Sequence, residues 1–216
     1  VISWAMMTAP RPVPTIDRSL ASFRKAGFRG SVIVVEDTVR DGPLFTWRRT
    51  METMLERSKF NFIGIMQDDI LWARKSCSVL AKEMKDMGYR AHEAGYLSLY
   101  VFEKHKDEPK AEKWKNWHVS RLGFKSAGAQ CYVLPRRSAE RLMKNHAFHH
   151  FCDHKKNDRK KGDDHVVSGM LRMMGMKCWF RVPGFVSHQM GMGNSAIGHK
   201  TNNHDAAWEE VARAIY

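Results

Sequence analysis

Asp68 and Asp69 stand at the end of an apolar run, Phe60 to Met66. Adjacent carboxylates leaving a buried strand repel each other and lose hydration, so they are costly to hold unless a cation neutralises them. The pair asks for a metal ion or a positively charged partner. The local alternative is Asp69 capping a following helix with Asp68 in solvent. His188 ends an extended run from Val182 and precedes the glycine-rich segment Gly191 to Gly198. An imidazole there is either a ligand or a satisfied structural side chain. Asp163 and Asp164 open a periodic apolar segment, where an acid serves as an N-cap or as a base whose pKa the helix dipole lowers.

These groups need elements to position them. Val1 to Met7 reads as a buried strand that stops at Thr8, because Pro10 and Pro12 forbid its continuation. Thr15 then caps a helix with Ile16, Leu20 and Phe23 on one face and Gly27 just beyond its end. Ser31 to Val35 is a β-branched strand ending in Glu36 and Asp37, followed by the turn Asp41 to Pro43 and a helix over Leu44 to Arg57. The order strand, helix, strand, helix, strand predicts a parallel sheet with covering helices. Parallel strands end on one edge, so Thr8, Glu36, Asp37, Asp68 and Asp69 emerge together where open α/β sheets bind ligands.

Beyond this half the pattern is mixed. The spacing predicts a helix over Cys77 to Met87 and a strand over Tyr96 to Phe102, then a charged stretch containing Lys113, Trp114, Lys115 and Trp117. A strand over Ala129 to Leu134 and a helix over Arg136 to Lys144 follow. Asn145 to Lys161 is polar, basic and His-rich and reads as an exposed loop. A helix over Asp163 to Met174, closed by Gly175, leads to a strand over Lys177 to Val182. The chain of 216 residues, with 43% hydrophobic residues, suits one domain over residues 1–198, with 199–216 as a tail or final helix. No apolar run reaches the ~20 residues of a membrane span, and no signal-peptide pattern is present. The expectation is a cytoplasmic protein. Cys77, Cys131, Cys152 and Cys178 lack paired spacing and read as reduced thiols.

Taken in order, four features resemble the GT-A glycosyltransferases. They are the strand ending in Asp68 and Asp69, the strand-to-helix segment Gly128 to Leu142, the helix opened by Gly162, Asp163 and Asp164, and the Pro-x-x-x-x-His-x-x-Gly element from Pro183 to Gly191. The resemblance spans about residues 1–198 and implies a GT-A type α/β fold, a nucleotide-binding parallel βαβ half followed by a mixed-sheet acceptor half. It also implies a nucleotide-sugar donor, UDP-linked, and a divalent cation, Mn²⁺ or Mg²⁺, bridging carboxylate and diphosphate. On that basis Asp69 is the direct metal ligand, Asp68 a second ligand or ribose contact, and His188 the late ligand. Oxygen and imidazole donors suit Mn²⁺, which would stabilise charge on the departing diphosphate. Thr8, Glu36 and Asp37 fall where the family holds base and ribose. Arg11, Arg48 or Arg49 could pair with phosphate, the alternative being surface arginines on an ordinary helix, and Ser195 lies on the glycine turn beside the diphosphate. Asp163 or Asp164 would take the acceptor's proton. The Gln-Asp-Asp order departs from a separated Asp-x-Asp and leaves open which carboxylate meets the ion.

Competing motifs are weaker. Gly191, Gly193 and Ala196 mimic a dinucleotide fingerprint, but too little chain follows for the βαβ unit of about thirty residues. His146, His149, His150, Cys152 and His154 crowd together without finger spacing, and a solvated loop explains them. A nucleotidyltransferase would carry a glycine-rich basic loop after the first strand, where Thr8 to Pro12 lacks one. The net charge of +13 favours an anionic partner. Nine Lys or Arg face three acids between Arg136 and Lys161, and seven face three between Lys104 and Lys125. Solvated loops share that composition. It also suits DNA, with Lys113, Lys115, Arg136, Arg137, Lys160 and Lys161 on phosphates and Trp114 and Trp117 stacking on bases. The acceptor expected on this reading is a hydroxymethylated pyrimidine, as in phage enzymes that sugar-coat their genomes. A glycan or protein acceptor, or a non-catalytic nucleic-acid-binding module, is the alternative.

Overall fold

The computed structural model describes residues 1–10, 14–39, 41–100, 110–120, 130–154 and 163–189, with all their side chains except those of Ser120, residues 163–165 and His188. Arg11, Lys160, Lys161, Ser195, the glycine turn and the C-terminal segment lie outside these residues.

The first half follows the expected alternation: β1 (Ile2–Thr8), α1 (Ile16–Lys25), β2 (Val32–Glu36), α2 (Pro43–Arg57) and β3 (Phe62–Gln67). β1 pairs in parallel with both β2 and β3. Because β1 is central, both its faces are buried: Trp4 and Met6 join one core, Ala5 and Met7 the other. A short β4 (Ile70–Trp72) follows, then α3 (Ser76–Met87), α4 (Tyr89–Glu93) and β5 (Ala94–Ser98). The second half comprises β6 (Lys110–Trp114), β7 (Trp117–Ser120), β8 (Cys131–Pro135), α5 (Arg136–Met143), α6 (His146–His154), α7 (Asp163–Met173), β9 (Lys177–Arg181) and β10 (Val186–His188).

Eight strands form one sheet in the order β2-β1-β3-β8-β5-β9-β7-β6. Its first three strands are parallel, whereas β8 runs antiparallel to β3 and β5, and β7 antiparallel to β6 and β9. This is the α/β architecture anticipated for the chain, a parallel βαβ half continued by a mixed half. One face is covered by α1, α3 and α4, whose Phe23, Leu80 and Ala91 lie in its core. The other is covered by α2, α5, α6 and α7, which bury Trp47, Leu142, Phe148 and Leu171.

Two expectations about the second half are corrected. Residues 146–154 form a helix rather than an exposed loop: Phe148 and Cys152, four residues apart, are fully buried against α2, with Phe148 edge-on to Trp47 at 5.5 Å. Histidine-rich composition hid that apolar stripe. The charged stretch around Trp114 is a β-hairpin whose alternate residues Lys110, Glu112 and Trp114 are half-buried, with Lys115 at φ 50° in the turn. The thiols are all free, as expected, and burial pushes those of Cys152 and Cys178 up to about 12. Among the described residues no helix is long and apolar enough to cross a membrane.

Candidate functional site

The carboxyl edge of the parallel strands is built from Thr8, Asp37, Asp68 and their braces. β3 ends at Gln67, and the chain turns through Asp68 and Asp69 into β4. An aromatic cluster fixes the geometry of this turn. Trp4, Phe23 and Phe28 contact Trp72, at the end of β4, with ring centroids 4.6–5.5 Å apart. Each such pair adds roughly 0.5–1.5 kcal/mol beyond its buried area, so α1 and β4 are held together on one side of the turn. Gly64 is required beneath this cluster, because a Cβ there would enter the Trp4 ring.

Asp68 is 2% exposed and turned inward. Its Oδ2 accepts hydrogen bonds from the hydroxyls of Thr8 at 2.7 Å and Thr15 at 3.1 Å, and its N–H donates to the Met7 carbonyl. Thr15 therefore stands at the N-cap position of α1 as expected, but its hydroxyl serves Asp68 and makes no cap bond. Ser19 Oγ lies 2.5 Å from the Asp68 carbonyl and 2.6 Å from that of Ile70, so one hydroxyl ties α1 to both ends of the turn. Asp68 is placed to hold the turn in shape.

Asp69 borders the last strand. β10 pairs antiparallel with β4, setting Val186 opposite Trp72 and His188 opposite Ile70. The next residue, Gln189, donates its N–H to the Asp69 carbonyl at 2.7 Å. Its buried side-chain Nε2 reaches Ser19 Oγ at 2.7 Å and the Thr15 carbonyl at 3.1 Å. The backbone thus brings His188 one ladder rung from Asp69, although about 120 residues separate them in sequence. Gln189 and Ser19, which clamp the junction, went unrecognised in the sequence, where their polar side chains match no motif.

The remaining predicted positions divide. Asp37 is at the same edge, its N–H donating to the Thr8 carbonyl, but its carboxylate oxygens accept the N–H groups of Asp41 and Gly42 and so shape the entry to α2. The Glu36 carbonyl receives Arg49, and the Glu36 side chain is exposed. Arg48 stacks on Phe45 at 4.4 Å and pairs with Asp153 of α6 at 2.6 Å. Asp163 and Asp164 are the first two residues of α7, with carboxylates outside the described side chains.

The proposed DNA contacts are not one surface. β8 runs antiparallel to β3, so Pro135 pairs with Phe62 and Arg136 starts α5 at the amino edge, opposite Asp68. Arg136 is spent on Glu140 and the Leu55 and Ser58 carbonyls, and Arg137 on Glu93. Trp117 is fully buried, its indole N–H donating to Glu83, and it offers no stacking face. Trp114 is half-buried under the Lys115 ammonium at 4.8 Å. The Lys115 turn does lie on the carboxyl edge, since Trp117 pairs with Arg181 at the end of β9. It stands four strands from β3, about 19 Å away at ~4.8 Å per strand.

The donor chemistry of Asp69 and His188, carboxylate oxygen and imidazole nitrogen, fits a divalent cation such as Mn²⁺. Among the described side chains, which do not include His188, no group of three or more His, Cys, Asp or Glu converges.

No family model matches the chain, and no curated protein matches it. Solved structures give distant likenesses. A197 from STIV is 10% identical, over 82% of this chain and 81% of that one, with a TM-score of 0.48. A mutant of Drosophila β1,4-galactosyltransferase 7, complexed with manganese, UDP-Gal and xylobiose, is 10% identical over 99% of this chain and 80% of that one, at 0.46. CMP:2-keto-3-deoxy-manno-octonic acid synthetase complexed with CTP is 13% identical over 99% and 98%, at 0.47. A galactosyltransferase and a synthetase complexed with CTP are thus among the likenesses, and at these values they assign no chemistry.

Proposed function

We propose that the protein is a metal-dependent glycosyltransferase that moves a sugar from a nucleoside-diphosphate sugar to a hydroxyl acceptor. The observation that carries this reading is the β4–β10 ladder, which sets His188 beside the Asp68–Asp69 turn at the carboxyl edge of the parallel strands. Asp69 and His188 would hold the cation, and Thr8, Thr15, Ser19 and Gln189 keep the turn from yielding. The cation supplies Lewis-acid stabilisation of the charge developing on the departing nucleoside diphosphate. Thr8 and the Glu36–Asp37 segment border the space for base and ribose, and Asp163 or Asp164 accepts the acceptor's proton.

The acceptor proposed is a hydroxymethylated pyrimidine in DNA. What supports it is the net charge of +13 and the exposed Lys113 of the β6–β7 hairpin, whose turn lies on the same sheet edge. Arg136, Arg137 and Trp117 lend it nothing, because they are occupied or buried.

Thermal unfolding with Mn²⁺ and a panel of nucleoside diphosphates tests the donor reading. A ligand at 100 times its Kd adds about 2.7 kcal/mol, so UDP with Mn²⁺ should raise the midpoint, and Asp69→Asn or His188→Ala should remove the Mn²⁺-dependent part without lowering the unliganded midpoint. Stabilisation indifferent to Mn²⁺, or turnover of a nucleoside triphosphate to pyrophosphate, contradicts it.

A further inference from the structure

Helix α6 places His146, His150 and His154 at successive four-residue intervals, all exposed, while Phe148 and Cys152 face the core. We infer that His150 and His154 form a bidentate metal site on the surface of α6, taking a borderline divalent ion such as Zn²⁺ or Cu²⁺. Residues four apart on a helix are neighbours on one face, and paired histidines at that spacing are a known way to grip zinc. Imidazoles sharing one ion through nitrogens ~2.0–2.1 Å from it place their ring centres about 4.5–5.5 Å apart, and the centroids of His150 and His154 are 4.5 Å apart, tilted by 48°.

Of the other members of the segment, His149, Cys152 and Asp153 are committed elsewhere, and His146 stands exposed one turn before His150. His149 lies 2.6 Å from the Met143 carbonyl through Nε2. Cys152 is fully buried, and burial pushes its thiol up to about 12, away from the thiolate a metal needs. Asp153 is paired with Arg48. Two protein ligands leave the remaining coordination positions to water, which makes the site labile and open to a further ligand. Two imidazole nitrogens without oxygen donors favour Zn²⁺ or Cu²⁺ over Mn²⁺ and Mg²⁺. The site is thereby chemically distinct from the one proposed at Asp69 and His188.

The test is titration of the full chain with Zn²⁺ by calorimetry and with Cu²⁺ by electron paramagnetic resonance. The second imidazole binds as an intramolecular event, so in a His146→Ala background, which removes the other four-residue pair, His150→Ala and His154→Ala should each weaken binding about 100-fold and reduce the nitrogen count in the Cu²⁺ spectrum by one. His149→Ala and Asp69→Asn should leave both readouts unchanged, and excess Mn²⁺ should not compete. All of these positions except Asp69 are on α6, and circular dichroism checks that the helix survives. Zn²⁺ affinity unchanged in His150→Ala and His154→Ala, or lost in Asp69→Asn, overturns the inference. Failure here leaves the glycosyltransferase reading intact, because that reading depends on Mn²⁺ and nucleotide alone.

Discussion

The two halves of the sheet spend their polar groups differently. Around Asp68 the polar atoms are buried and tied to one another: Thr8, Thr15, Ser19 and Gln189 converge on one turn from three separate elements. In the mixed half the charges are largely exposed and consumed in pairs, Lys115 with Asp86, Lys177 with Glu112 and Arg137 with Glu93. The exception is Arg181, 3% exposed, whose Nε and Nη2 grip Glu83 at 2.8 and 2.9 Å over the face of Phe185. The contrast teaches that a basic composition does not by itself make an anion-binding surface. Much of the excess in the second half is already answered by a neighbouring acid, whereas the first half holds Asp68 with neutral hydroxyls and Asp37 with backbone N–H groups.

The largest expected effect tests that exception. Glu83→Gln strips the charge from a buried pair and leaves Arg181 uncompensated, which costs about 3–5 kcal/mol. Urea unfolding should show it, and a loss below about 1 kcal/mol would mean that solvent reaches the pair.

His118 sharpens the comparison from the same half. It is 4% exposed, its Nδ1 has no hydrogen-bond partner among the described residues, and burial, aided by the Lys110 and Lys113 charges, holds its pKa down at about 4. The unfolded chain, near 6.5, binds the proton that the folded chain refuses. The stabilisation from neutral His118 is therefore complete above about pH 6.5 and is lost as pH falls toward 4, by up to ~3 kcal/mol. His118→Phe should flatten that part of the stability-against-pH curve, and identical curves for the two proteins would refute the assignment.

Gln189→Ala probes the first half more gently. Losing its amide contacts should cost about 1–3 kcal/mol and raise the Mn²⁺ concentration needed for half-maximal stabilisation by UDP. A purely structural role would lower the unfolding midpoint and leave that concentration alone. The smallest effect is expected at the surface, where Lys115→Ala removes a solvent-screened pair with Asp86 and should leave the unfolding midpoint nearly unchanged. Asp86, which the Lys115 hydrogen bond holds below the usual carboxylate range, should titrate higher in that variant by nuclear magnetic resonance.

What was legible in the sequence follows the same division. β1 and β3 announce themselves because both faces of an internal parallel strand are apolar, and the edge strand β2 by its β-branched run, and their ends locate Thr8, Glu36 and Asp68 without further information. The adjacency of His188 to Asp69 was legible only as an ordered motif. The ladder that produces it joins two three-residue strands too short to show a period. Ser19 and Gln189 were invisible, since they act across 49 and 170 residues and resemble any exposed polar side chain until the chain folds. Helix α6 was masked by histidines lying outside a narrow apolar stripe, and the β6–β7 hairpin by lysines at its solvent-facing positions.

The central claim, that the Asp68–Asp69 turn and β10 together make a cation and diphosphate site, is tested most directly by a crystal soaked with Mn²⁺ and UDP and measured at the manganese absorption edge. The account predicts one anomalous peak within coordinating distance of an Asp69 carboxylate oxygen and a His188 ring nitrogen, with the diphosphate on its open side. A diphosphate bound elsewhere, or bound at this edge with no manganese between it and Asp69, would contradict it.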